Sequence, residues 1–192
     1  MKRRILSIAL ALVLICTLLP FGALRVHADD NGMCGDELMY VFSSDSGHLT
    51  IYGPPGEMYS WYGNDEDPPW YDYRDQIKSV YMYDGATSIG YGAFEECMGL
   101  TDVTIANTVT SIQSFAFDAC LSLKNFNLPN GLEFIGGRAF ADTAIDSITI
   151  PNTVTSIGAF AFAWCENMTF ASLPASVIAV GEGIFANCPN FK

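Results

Sequence analysis

Two histidines, His27 and His48, and six cysteines, Cys16, Cys34, Cys97, Cys120, Cys165 and Cys188, are the side chains best suited to nucleophilic, acid–base or zinc chemistry in this chain. A Ser/His/Asp or Cys/His centre needs a nucleophile on one side of an imidazole and an orienting acid on the other. His48 stands in a turn, and nothing in the sequence places both partners beside it. Zinc sites bring cysteines together as Cys-x-x-Cys or similar pairs. Here Cys97, Cys120, Cys165 and Cys188 follow a step of about 23 residues, with Thr143 in the third place. Carboxylate pairs hydrolyse glycosides, but 21 Asp and Glu make accidental pairs inevitable. Asn64-Asp65-Glu66-Asp67 is dense in hard oxygen ligands without the spacing of a calcium loop, and reads as a solvated acidic loop. Gly136-Gly137 belongs to a repeat and not to a phosphate loop. The expectation is a protein without catalysis, metal or cofactor.

Binding chemistry is better represented. Residues 58–73 carry Tyr59, Trp61, Tyr62, Trp70 and Tyr71 among several acids, after the turn signal Gly53-Pro54-Pro55-Gly56. Exposed Trp and Tyr beside carboxylates suit sugars and cationic groups. The competing reading is a cover for the first unit of a repeat array that begins at Ile77.

The array declares itself in several columns. Phe94, Phe117, Phe140, Phe162 and Phe185 are separated by 23, 23, 22 and 23 residues. Ile89, Ile112, Ile135, Ile157 and Val180 keep the same register, as do Ile105, Leu128, Ile150 and Leu173. The short step is a deletion at Thr143-Ala144-Ile145. A unit of this size cannot bury its own apolar face, but stacked copies bury a common one, which demands the same residue at the same place. The Phe column is expected to stack as an internal spine, with the Cys column behind it as buried thiols. Bridges Cys97–Cys120 and Cys165–Cys188 stay open as the alternative, because export permits them.

Each unit holds one alternating stretch, read as a short half-buried strand. These are Ile77-x-x-Val80-x-Met82, Leu100-x-x-Val103-x-Ile105, Leu123-x-x-Phe126-x-Leu128, Ile145-x-x-Ile148-x-Ile150 and Met168-x-x-Ala171-x-Leu173. Pro129, Pro151 and Pro174 end three of them. The Ala-Phe-x-x-Cys stretch predicts a tight helical or 3-10 turn. The intervening strand residues form one exposed face: Tyr81, Thr104, Asn127, Thr149 and Ser172, beside Asp102, Asn125, Ser147 and Phe170. Short polar side chains make a solvated ladder; Tyr81 and Phe170 are the expected anchors for a partner. Upstream, residues 38–42 and 49–52 predict two strands of an N-terminal β cap spanning residues 29–76.

Lys2, Arg3 and Arg4, an apolar run over residues 5–19 and the site Val26-His27-Ala28 predict a secretory signal over residues 1–28. Its removal leaves five Lys and Arg against 21 Asp and Glu, a formal charge of −16. Such a surface repels nucleic acid and anionic lipid. No second apolar run of membrane length is present.

The motifs Leu-x-x-Ile-x-Ile-Pro and Ala-Phe-x-x-Cys, seen most clearly in SITIPNTVTSIGAFAF and TSIGAFAFAWCENM, resemble the BspA-type leucine-rich repeat of bacterial surface and secreted proteins. Ala106 departs from the motif's Pro and Gln113 from its Gly, and the last repeat, ending at Lys192, reads as incomplete. The resemblance implies an α/β repeat solenoid, right-handed, over residues 77–192. It also implies non-catalytic recognition of an extracellular or cell-surface protein, with glycan binding through the aromatic loop as the alternative.

Overall fold

The computed structural model describes residues 30–61, 67–124 and 126–192. The predicted signal over residues 1–28, Tyr62, the acidic run over residues 64–66 and Asn125 lie outside them. The strands are β1 (Asp30–Met33), β2 (Met39–Ser43), β3 (His48–Tyr52), β4 (Ser79–Met82), β5 (Ser88–Ile89), β6 (Asp102–Thr104), β7 (Ser111–Ile112), β8 (Phe134–Ile135), β9 (Ser147–Thr149), β10 (Ser156–Ile157), β11 (Phe170–Ser172) and β12 (Ala179–Val180). A 3-10 turn at Tyr71–Gln76 is the helical element among the described residues. The chain is a β-solenoid with a spacing of about 23 residues: β5, β7, β8, β10 and β12 recur once per repeat and pair in parallel.

Two sides of the solenoid are built from strands. On the first, β1, β2 and β3 form an antiparallel meander, and β3 then pairs in parallel with β4 and β4 with β6. Alternation does what it predicts: Val80, Met82, Val103 and Ile148 point inward and are buried, while Tyr81, Thr104 and Thr149 point out. On the second side, the two-residue strands β5, β7, β8, β10 and β12 form an unbroken parallel ladder. The sequence marks its Ile column as buried, but two residues carry no alternation to betray a strand.

The Ala-Phe-x-x-Cys arc is not helical, which corrects the α/β expectation. Each arc is a chain of turns closed by bonds such as Ala93 N to Gly90 O, Cys97 N to Phe94 O and Leu100 N to Cys97 O. Two residues per repeat are left-handed: Gly92, Phe115, Arg138, Phe160 and Gly183 in one column, and Glu96, Ala119, Asp142, Trp164 and Asn187 in another, with φ between 55° and 63°. A type II turn needs such a residue third in the turn, and a helix cannot contain it. The alternate amides this frees reach the next rung. Gly92, Phe94 and Glu96 donate to the carbonyls of Ser114, Ala116 and Asp118, and later rungs repeat the pattern. Bonding between rungs offsets the left-handed strain.

The Phe spine forms as expected and is longer than the sequence suggests. Phe94, Phe117, Phe140, Phe162 and Phe185 stack with centroids 5.2–5.8 Å apart, and Trp70 stacks on Phe94 at 5.4 Å as its first ring. The five described cysteines are buried and free. The thiols of Cys120, Cys165 and Cys188 donate to the carbonyls of Phe94, Phe140 and Phe162 at 3.1–3.3 Å. Thr143, in the Cys column, bonds the Phe140 carbonyl at 2.9 Å. Burial pushes the Cys34 and Cys97 thiols up to about 12 and the Cys165 thiol to about 11. The column therefore packs and donates rather than reacts.

Candidate recognition face

The third repeat breaks the first side. Of the segment predicted as a strand there, the described residues 126–128 are not in one: among the described residues β6 ends the five-stranded sheet and β9 pairs with β11. The inward residue explains this. Where other repeats place Val80, Val103, Ile148 or Ala171, this one has Phe126, whose ring stacks on Phe140 at 4.8 Å and lies 6.5 Å from Phe117. A ring in this place is bulkier than the Val, Ile and Ala that fit the rung spacing elsewhere. The deletion at Thr143-Ala144-Ile145 comes directly after, between this rung and β9.

The break leaves a groove of about 840 Å³ across three rungs, with Thr104, Asn127 and Thr149 along it and Asp102, Lys124 and Asp146 among its walls. The Asp102 carboxylate accepts from the Thr101 hydroxyl at 2.6 Å and that of Asp146 from the Ser147 hydroxyl at 3.1 Å. Neither is in an ion pair among the described residues. The two predicted anchors stand on either side. Tyr81 is 37% exposed and meets Tyr83, 54% exposed, edge to face at 4.7 Å; Phe170 is 57% exposed. Ser147 is exposed beside Phe170, and Ser172 is half-buried at the end of β11. Sequence reading missed Tyr83, although the alternation Tyr81-Met82-Tyr83 continues past the strand. It also missed Lys124 and Asp146, which precede their predicted strand cores.

The aromatic loop is divided. Trp70 is 0% exposed, and its indole Nε1–H donates to the Ala93 carbonyl at 2.8 Å. It cannot meet a sugar without opening the spine, so its place in a glycan site is corrected. Its position 24 residues before Phe94 is the signal that could have shown this. Trp61 packs on Trp70 at 5.3 Å and is half-buried, and the Tyr71 ring lies 3.9 Å beneath the Arg74 guanidinium. Tyr59 is exposed.

His48 has a partner that the sequence did not place: its Nδ1 shares a 2.7 Å hydrogen bond with the Ser79 hydroxyl. Strand register puts Asp102 opposite Ser79 in turn. In a hydrolytic triad the imidazole sits between hydroxyl and carboxylate; here the hydroxyl is in the middle, so the acid does not orient the base. Among the described residues no three His, Cys, Asp or Glu side chains are grouped to hold a metal. Among the same residues no helix is long and apolar enough to cross a membrane.

The chain resembles solved bacterial repeat proteins. A leucine-rich repeat protein from Bacteroides ovatus is 28% identical with a TM-score of 0.62, covering 82% of this chain. This chain in turn spans 45% of that protein. A leucine-rich repeat protein from Eubacterium ventriosum is 21% identical with a TM-score of 0.52, over 85% of this chain and 71% of its own. That of T. pallidum is 24% identical at 0.51, over 80% and 87%. A search of curated proteins found no match. The profile of the BspA type leucine rich repeat region fits six copies over residues 71–192, and with the parallel rungs, the Phe spine and the 23-residue step this chain belongs to that family.

Proposed function

We propose that this is a secreted or cell-surface recognition protein that binds another protein through its first strand side, without catalysis. The observation that carries the reading is the placing of exposed rings, Tyr81 with Tyr83 and Phe170, on opposite sides of a polar groove on one face. Exposed aromatics anchored on rigid strands lose little entropy on binding and dominate interface energies. The repeat family supports protein binding as the general role. The predicted signal over residues 1–28 and the acidic surface fit export. In this reading residues 29–76 are the cap: β3 supplies β4 with a strand partner, and Trp70 covers the first Phe ring.

The test is binding of the purified chain to immobilised matrix proteins, cell-surface proteins and polysaccharides at low and physiological salt. Saturable protein binding at physiological salt, weakened at least about tenfold by Tyr81→Ala or Phe170→Ala, is the expected result. Polysaccharide binding alone, unchanged by both substitutions, sinks the reading. Signal confined to low salt means adsorption by charge, and sinks it too.

A further inference from the structure

A threonine ties the turn of the second repeat, and that of the fourth, to the rung before it. The Thr108 hydroxyl donates to the Ala86 carbonyl at 2.7 Å, and the Thr153 hydroxyl to the Asn130 carbonyl at 2.8 Å. In the third repeat the same place holds Gly131. A Cβ there would lie 3.4 Å from the Asn107 carbonyl oxygen, the atom that a threonine hydroxyl would take. The turn itself is Pro129-Asn130-Gly131-Leu132, closed by a bond from Leu132 N to Pro129 O at 3.0 Å. Asn130 is exposed, and among the described residues neither its carboxamide nor the Gly131 N–H makes a hydrogen bond.

We propose that Asn130-Gly131 is a self-modifying site, where the chain and water convert the asparagine to a mixture of aspartate and isoaspartate. The Gly131 amide nitrogen gives its proton to solvent base and attacks Asn130 Cγ. The new N–C bond closes a succinimide ring, and the side-chain nitrogen takes a proton from solvent and leaves as ammonia. Water then opens the ring. Breaking the bond to Cγ yields aspartate; breaking the bond to the main-chain carbonyl carbon yields isoaspartate. The residue after the asparagine decides whether this happens. Its nitrogen has to swing out of the turn toward Cγ, and glycine has no side chain in the way and the widest choice of dihedrals to follow. Asn107 and Asn152 stand in the same place of the second and fourth repeats, but they precede Thr108 and Thr153, which are β-branched and tied by their hydroxyls. A second Asn-Gly pair, Asn31-Gly32, lies in β1 opposite Val41 and Tyr40, where the ladder holds the backbone extended. The sequence offers both pairs, and the fold selects Asn130. The change is not silent. Asn130 lines the groove with Asp102 and Asp146, so the reaction adds a carboxylate to acidic walls. Isoaspartate also routes the main chain through the former side chain, which lengthens the turn by a methylene and displaces the carbonyl that Thr153 holds.

The experiment incubates the folded chain, and the same chain in urea, in mildly alkaline buffer made with heavy-oxygen water. Proteolysis and mass spectrometry then locate the incorporated oxygen, and chromatography separates aspartyl from isoaspartyl peptides. In the folded chain Asn130 should convert within about tenfold of its rate in urea, and at least about tenfold faster than Asn31, Asn107 or Asn152. In urea Asn31 and Asn130 should convert alike, because nothing then holds either turn or strand. The rate should rise with pH, since the attacking amide must lose its proton. Gly131→Thr should slow the reaction at Asn130 at least about tenfold. An Asn130 that survives in the folded chain while reacting in urea overturns the proposal, and so does an Asn31 that keeps pace with it in the folded chain. Aspartate formed without isoaspartate, or a Gly131→Thr variant that reacts as fast as the parent, means hydrolysis without the Gly131 nitrogen and sinks it too. Should Gly131→Thr fail to fold, the folded and unfolded rates of the parent carry the test alone.

Discussion

The third repeat meets its neighbours in opposite ways on its two strand sides. Through Phe134-Ile135 it is the middle strand of a ladder that runs unbroken from β5 to β12. On its other strand side, among the described residues, 126–128 pair with neither β6 nor β9. The amino acids turned inward differ. Ile135 is one of a column of Ile and Val and fits the rung spacing; Phe126 is a ring in a column of Val, Ile and Ala. The fold tolerates this because the rungs are joined elsewhere as well, by the Ile ladder, the bonds between arcs and the stacked Phe spine. A repeat protein can give up one of these connections in a single rung and gain a surface feature that a perfect repeat does not have.

The largest expected effect tests whether the spine carries that rung. Phe140 stacks between Phe117 and Phe162 and also holds Phe126. Phe140→Ala should cost about 4 kcal/mol, read as a fall in the urea midpoint. Phe126→Ala, at the broken side and half-buried, should cost about 1 kcal/mol, because its cavity opens to the groove. Equal losses would mean that the two sides bear the rung equally and the contrast is false.

Glycines probe the ladders themselves. A methyl on Gly158 would run into the Gly137 and Gly136 backbone of the rung below. Gly158→Ala therefore has to push two rungs of the unbroken side apart, at about 2 kcal/mol. Gly131 lies in the repeat with the broken strand, and a methyl there sits 3.4 Å from the Asn107 carbonyl. Gly131→Ala should be neutral within about 0.5 kcal/mol. Thermal melts of the two variants separate a tight ladder from a relaxed one.

The buried thiols add a pH signature. Burial raises Cys34 and Cys97 from 9.0 to about 12 and Cys165 from 9.0 to about 11. In the unfolded chain these thiols ionise near 9, so from there upward the unfolded state binds fewer protons than the native one. Their contribution is whole below pH 9 and is lost as pH climbs toward the folded values. Each thiol should remove about 1.4 kcal/mol per pH unit in that window. Urea titrations from pH 8 to pH 11 should show this fall, and a flat profile would contradict thiols that are buried and protonated in the folded chain.

What the sequence revealed and what it hid divide along physical lines. Columns of Phe, Ile and Cys were legible because every rung repeats the same burial, and the strand side was legible wherever alternation ran for several residues. The Ile ladder was hidden because two-residue strands have no period to read. Trp70 was left open between a sugar-binding ring and a cover for the first repeat because its neighbours are tyrosines and acids, which suggest a surface loop, although its offset from Phe94 is nearly one repeat. The broken rung was hidden because Phe126 is apolar in an apolar column; only its size, set against Val103 and Ile148, marks it. The exposure of Tyr81 and Phe170 was legible from alternation alone, whereas a groove requires knowing how neighbouring rungs pair.

The smallest expected effect concerns the arc, where sequence and structure disagreed most. Ala119 and Ala116 sit three residues apart in the same Ala-Phe-x-x-Cys stretch, and a helix would treat them alike: glycine at either would cost about 1 kcal/mol. In the turn geometry they differ in sign. Ala119 has φ of 57°, where a Cβ is strained by about 1 kcal/mol and glycine is not. Ala119→Gly relieves that strain and loses some of it again to the greater freedom of the unfolded chain, for a net gain of about 0.5 kcal/mol. Ala116 is not among the left-handed residues and is fully buried, so Ala116→Gly gives up packing and chain entropy together and should cost about 1 kcal/mol. Opposite shifts in melting temperature would establish the left-handed arc, and with it the freed amides that bind rung to rung. Two destabilised variants would return the arc to a helix and take away one of the connections that lets the third rung stay unpaired on its groove side.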